Sequence, residues 1–233
     1  NKDALERLLA AGAAVTWFDH HAPGRIPEHK EFTPHIDTDP ETCTSLLVDR
    51  HLKGHFRLWA IAAAYGDNLA ASAERLADAV PLSPPQRALL RMLGEAVNYN
   101  AYGDSEADVR IHPAALYRWL AHYDDPFEAI AQAPIVRELD ALRRADLDRA
   151  RAVAPPHRDE HSVVIVLPDA PWSRRVSGPF ANELALRDPQ RAHAVLKELA
   201  SAAYSVSVRA PIASPFGADV LAREFGGGGR VGA

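Results

Sequence analysis

Cysteine is nearly absent. Cys43 is the only one in 233 residues, which excludes a disulfide framework and a Cys-rich zinc site and fits a reducing, cytoplasmic setting. No apolar run reaches the roughly 18 residues that a membrane span needs, and no signal-peptide pattern opens the chain, so no membrane partner is expected. An excess of positive charge is missing too: 26 Lys and Arg against 31 Asp and Glu leave a net charge of -5. That removes the global basic footprint of a duplex-DNA binder and leaves room only for a local basic groove. Internal repeats and low-complexity segments are not found. What the chain does have is 47% hydrophobic residues, enough for a packed core, in a length that suits one large domain or two smaller ones. Asn1-Lys2-Asp3 lacks an initiator methionine and Gly232-Ala233 closes a Gly-rich stretch, so both ends are expected to be cuts in a longer protein.

Leu5, Leu8 and Leu9 recur at helical spacing over residues 3–11, and Gly12 suits a C-terminal cap. A short apolar strand, residues 14–18, follows. Helix then buried strand is the grammar of a parallel α/β sheet, whose ligands bind beyond the carboxyl ends of the strands. Thr33–Ile36 reads as a weak strand at most. Helices are predicted from Thr44 to about Leu52, over 56–65 with Gly66 ending it, and at 69–79, 84–97, 113–122 and 126–153. The break Pro155-Pro156-His157-Arg158-Asp159-Glu160 marks a domain boundary. Beyond it Ser162–Leu167 is the clearest strand. A helix is predicted from Ser177-Gly178 to about Leu186, another over 192–199, a strand over 203–209, and a short helix over 219–225 capped by glycines. Ser45 and Ser177 read as helix caps. Trp17, Trp59 and Trp119 sit in apolar contexts and read as core. Trp172, near Arg174 and Arg175, reads as a surface loop or as a base-stacking ring beside a basic groove.

The run Val15-Thr16-Trp17-Phe18-Asp19-His20-His21 ends in a carboxylate and two imidazoles where the strand stops. In an extended segment His20 and His21 point to opposite faces, so one can ligate a metal while the other faces a substrate. A carboxylate beside them suits a hard ion such as Mn²⁺. A generic Asp-His-His triplet is more often a satisfied buried pair or a solvent loop, but Asp67 follows Gly66 at the end of another apolar element and would converge on the same sheet edge.

Three stretches in order carry a resemblance: Phe18-Asp19-His20-His21, Ala64-Tyr65-Gly66-Asp67, and Ser207-Val208-Arg209 with Phe225-Gly226-Gly227-Gly228-Gly229. Together they resemble the DHH (Asp-His-His) phosphoesterase superfamily with a C-terminal DHHA1-type substrate domain. The resemblance implies an α/β fold: a parallel-sheet catalytic domain over 1–125, a linker helix over 126–156, and a smaller α/β substrate domain with a mixed sheet over 157–233. It implies His20 and Asp67 as metal ligands, Asp19 as a ligand or as the carboxylate that holds an imidazole, and His21 at the phosphoryl group. Ser207, Arg209 and the backbone of Gly226, Gly227, Gly228 and Gly229 would bind the substrate's phosphate or nucleotide. Arg230 stands where the superfamily has a histidine, which keeps an anion contact but cannot accept a proton.

The implied activity is hydrolysis of phosphodiesters or phosphomonoesters in short oligonucleotides, single-strand ends or small nucleotides, with two Mn²⁺ or Mg²⁺ ions activating water. The implied partner is a nucleotide or short single-stranded nucleic acid, and a homodimer is admitted. The superfamily's early Asp-x-Asp is absent, so the metal centre is expected to be incomplete in this chain. A non-catalytic nucleotide- or nucleic-acid-binding member stays open. An inorganic pyrophosphatase of the same superfamily is disfavoured by the Gly-rich C-terminal stretch.

Overall fold

A computed structural model describes residues 2–199 and 203–229. The chain is α/β and divides into two compact units. One comprises Asn1–Glu95 with Ala121–Ala133, the other Ala96–Leu120 with Pro134–Ala233. Among the described residues there are ten α-helices and two sheets, one parallel and one mixed.

In the first unit, α1 (Lys2–Ala10) ends at Gly12, whose φ of 80° is the left-handed turn that glycine adopts without strain. The chain then enters β1 (Val15–Asp19), which pairs in parallel with β2 (Phe32–Ile36), Val15 opposite Phe32 and Asp19 opposite Ile36. The segment around Thr33 is thus a full partner strand. Because side chains alternate, Val15, Trp17 and Asp19 share one face with Phe32 and Ile36, and Leu5 and Leu9 of α1 pack there against Phe32, Val15 and Trp17. Phe18 lies on the other face, stacked on His35 at 4.5 Å and edge-on to His51 at 5.0 Å. His51 ends α2 (Thr44–His51), which packs on β1. Next come α3 (Arg57–Gly66), α4 (Ala70–Ala77) and α5 (Pro84–Tyr99). Small residues let α3 pack closely: Ala60, Ala62 and Ala64 are buried, together with the larger Ile61 and Tyr65. α6 (Pro113–Leu120) belongs to the second unit.

The helix predicted over 126–153 is two helices, α7 (Pro126–Gln132) and α8 (Pro134–Arg151). Pro134 forces the preceding Ala133 into an extended conformation, with ψ at 101°, and itself starts the new helix.

The second unit is built on a sheet of order β3-β4-β5-β6, with β3 (His157–Arg158), β4 (Ser162–Leu167), β5 (Ala192–Glu198) and β6 (Tyr204–Arg209). β4 and β5 run parallel, and β6 is antiparallel to β5. Residues 192–199, predicted helical, form a central strand instead. Burial alternates strictly along β5, with His193, Val195 and Lys197 inside, which only a strand produces. α9 (Pro171–Arg187) covers that buried face. It begins six residues before the predicted start, so Ser177 lies mid-helix and caps nothing. Trp172 sits in its first turn rather than in a loop. Trp119 is 51% exposed, not core, while Trp17 and Trp59 are half-buried. α10 (Ala218–Glu224) packs beside β6.

Candidate functional site

β1 ends at Asp19, and the alternation ends with it. The Asp19 carboxylate turns back on the next two residues: Oδ1 accepts the backbone N–H of His20 at 2.8 Å and of His21 at 3.1 Å, and the His21 ring Nδ1 at 2.8 Å. A carboxylate only accepts, so His21 donates from Nδ1. Trp17 adds its indole N–H to Oδ2 at 3.3 Å. Burial acts to raise the Asp19 pKa, but the His21 ring, the two backbone N–H groups and Trp17 together outweigh it and hold the carboxyl down at about 2. This turn is why the two imidazoles do not point apart: their centroids are 4.2 Å from each other, edge to face. They differ in exposure instead. His20 is buried, whereas the His21 side chain is 73% exposed.

His20 is fixed from the opposite direction. Its Nδ1 lies 3.2 Å from the Thr42 carbonyl and 3.7 Å from Asp67 Oδ2. A carbonyl only accepts, so in this contact Nδ1 is the donor. Asp67 reaches this point because α3 stops immediately before it. Its N–H closes on Ala63 O, and Asn68, at φ 61°, takes the left-handed position after the helix. Asp67 thus stands at a helix end with a side chain 41% exposed, facing a histidine 47 positions earlier. On the Trp17 side of β1, a cavity of about 270 Å³ opens between Trp17, Asp19, Arg25, Ile26 and Phe32.

The donor chemistry of His20 and Asp67 suits a hard or borderline divalent cation. Among the described residues, however, no group of three or more His, Cys, Asp or Glu side chains gathers to hold an ion. Asp19 is engaged by N–H donors and acts here as the group that orients His21. A two-ion centre is therefore not completed by the described residues.

In the second unit Arg209 ends β6. The β5–β6 register sets it directly opposite His193, and alternation sets Ser207 on the same side. Nε of Arg209 donates to Asn182 Oδ1 on α9 at 2.7 Å, and Nη1 to the Val208 carbonyl at 2.8 Å. Burial pushes this guanidinium below the ordinary arginine range, with the nearby Tyr102 working the other way. No carboxylate among the described residues lies within ion-pair reach of it.

Arg174 and Arg175, read from sequence as candidates for a basic groove, are engaged structurally. Arg174 pairs with Asp108 and Asp169. Arg175 bonds Asp146 at 2.7 Å, the Tyr99 hydroxyl at 2.7 Å and the Asp108 carbonyl at 2.7 Å. Of the glycines, Gly226 (φ 75°) and Gly227 turn their N–H groups back onto Arg223 O and Ala222 O to close α10, which leaves Gly228 and Gly229 without a backbone bond among the described residues. Arg230 lies outside the described residues. Sequence reasoning passed over Thr42, whose carbonyl accepts from His20 Nδ1, and Asn182. Neither has a motif that could have marked it.

The chain matches no protein-family model and no curated protein. No helix among the described residues is long and apolar enough to cross a membrane.

Proposed function

We propose that the chain is a member of the DHH phosphoesterase superfamily and hydrolyses phosphodiester or phosphomonoester bonds of short oligonucleotides, single-strand ends or small nucleotides. The observation that carries the reading is the convergence of Asp67 on His20. The resemblance required these two residues to meet, and nothing in local sequence forces a helix end to meet a strand end so far away. Arg209 supports it from the second unit, as a half-buried cation with no anionic partner among the described residues.

In this reading His20 and Asp67 are this segment's contribution to a site for Mn²⁺ or Mg²⁺, whose remaining ligands come from elsewhere. Such ions, when bound, acidify water and polarise the phosphoryl oxygens. The rest is assigned to the chain's own groups. Asp19 holds the exposed His21 ring by Nδ1, so that Nε2 is presented outward to accept or return a proton. In hydrolysis the water oxygen joins phosphorus and the leaving oxygen takes up a proton, and His21 is placed for that exchange. Arg209 binds a phosphate that is not cleaved, with its guanidinium edge.

A non-catalytic binder of nucleotides is the second reading, favoured by the incomplete donor set. Full-length protein with added Mn²⁺, offered a panel of dinucleotides, single-stranded oligomers and mononucleotides, decides between them. Release of mononucleotide or phosphate, abolished in His20→Ala and in Asp67→Ala with the fold retained, supports the enzyme. Wild-type turnover in either variant refutes the site. No product from any substrate, with 5′-AMP still bound, leaves the binder.

A further inference from the structure

Among the described residues, the part-buried arginine side chains of the second unit follow one rule with one exception. Arg174, Arg175 and Arg151, with side chains 16–35% exposed, each meet at least one carboxylate: Asp108, Asp146 and Glu183 respectively. Arg191 meets Asp188. A cation withdrawn from water costs free energy unless a counter-charge is supplied, and these four have theirs within the fold. Arg209 is half-buried like them, yet among the described residues no carboxylate meets it. Asn182 offers an amide oxygen and Val208 a carbonyl. Tyr102 is a phenol. His193, directly across the strand pair, has Nε2 2.8 Å from the Asp188 carbonyl, so its proton is on Nε2, and its buried Nδ1 has no partner. The neighbouring position on α9 shows that a carboxylate was available: Glu183 follows Asn182 and serves Arg151 and Arg187.

We infer that Asn182 is the positioning residue of an anion seat, and that its neutrality is the functional point. Its amide oxygen takes the Nε–H of Arg209, and the Val208 carbonyl takes one Nη1–H. Three of the five guanidinium N–H groups remain, one on Nη1 and two on Nη2. They form the terminal edge of the fork, which fits two oxygens of one phosphate. An acceptor of zero charge locks the side chain and leaves its full positive charge for the ligand. An aspartate there would lock it equally well and neutralise it. The ligand class is a terminal phosphate group, as on a 5′-mononucleotide. This rests on the reading of Arg209 as a phosphate ligand.

The test measures 5′-AMP binding by calorimetry to wild-type protein, Asn182→Asp, Asn182→Ala and Arg209→Ala, with thermal midpoints for each. Expected is roughly tenfold or greater weakening in Asn182→Asp at an unchanged or raised midpoint, since that variant trades ligand attraction for an internal ion pair. Asn182→Ala should weaken binding roughly three- to tenfold, because Arg209 loses its orientation. In turnover both variants should raise KM with kcat little changed. Asn182→Asp binding as tightly as wild type, while Arg209→Ala loses affinity, overturns the role of Asn182 and leaves Arg209 as the phosphate ligand. Arg209→Ala binding like wild type, or no binding by wild type at all, overturns both. Because Asn182→Asp is isosteric, loss of affinity with the midpoint maintained cannot be a folding effect.

Discussion

Gly94 decides where Asp67 stands. It is buried on α5, and a Cβ built on it would lie 1.8 Å from Ala62 O and 2.9 Å from Gly66 N. Those two atoms are the acceptor and donor of the i to i−4 bond that closes the last turn of α3, the turn from which Asp67 projects. Real Cβ atoms essentially never come within 3.0 Å of another heavy atom, so Gly94→Ala requires the two helices to part by about 1.2 Å, enough to forfeit much of their dispersion contact. Two effects oppose each other. Alanine is favoured over glycine inside a helix by about 1 kcal/mol, whereas overpacking costs ~1–3 kcal/mol and more where the obstacle is backbone rather than a side chain. Here the obstacle is backbone on both counts, so overpacking wins. We expect a net loss of about 2–4 kcal/mol, on the order of 10 °C in the midpoint of a unit this size. Urea unfolding measures the first and calorimetry the second. If the proposed phosphoesterase reading holds, activity should also fall in the residual folded population, because Asp67 moves with the turn. A Gly94→Ala protein as stable as wild type, or more so, would show that propensity prevails and that the close α3–α5 approach does not hold.

Asp19 gives a prediction in pH. Its folded pKa, about 2, lies below the ordinary 3.8, so its contribution to stability is full above about pH 5 and disappears as pH falls towards 2. Asp19→Asn should cost on the order of 1 kcal/mol at pH 6 and a small fraction of that at pH 2, vanishing below it, and a gap that stays constant across this range refutes the assignment. Asp146, 1% exposed, anchors α9 to α8 through Arg175 and receives the Tyr99 hydroxyl at 2.6 Å. Asp146→Ala strands a buried guanidinium and should cost about 3–5 kcal/mol in urea unfolding, whereas an unchanged midpoint would mean that α9 is held by its apolar face alone.

How much of this was legible depended on whether local pattern and tertiary context agreed. The strand ending at Asp19 and the helix ending at Gly66 were readable because a polar stop follows an apolar run in each. Residues 192–199 were misread because Ala, Leu, Lys and Glu favour helix, and Val195 with Leu196 and Leu199 also fits helical spacing. The strand wins because β4 and β6 flank it on both sides, a context that no window of eight residues contains. The start of α9 was missed for the opposite reason: Gly178-Pro179 looks like a break, yet the helix continues through Pro179, held on one side by Arg174 and Arg175 and on the other by Val176, Phe180 and Ala181 in the core. Arg174 and Arg175 were legible as cations but not as satisfied ones, since Asp108 and Asp146 are 66 and 29 positions away.

That last distinction separates structure from chemistry here. Charge in the sequence marks neither, because most of the arginines meet a carboxylate and are spent on the fold. The informative residues are those whose partners leave something over. Asp19 spends itself on His21, and so presents an exposed imidazole in a fixed orientation. Arg209 spends two of its donors on neutral oxygens, and so keeps a whole charge. In each case an internal bond fixes the side chain without consuming the group that would act, which is the condition for a preorganised site. The stability cost of leaving these groups uncompensated falls on the folded protein alone. On the proposed reading this cost is recovered at Arg209 when a phosphate binds there, so 5′-AMP should raise the thermal midpoint of wild-type protein and fail to raise that of Arg209→Ala.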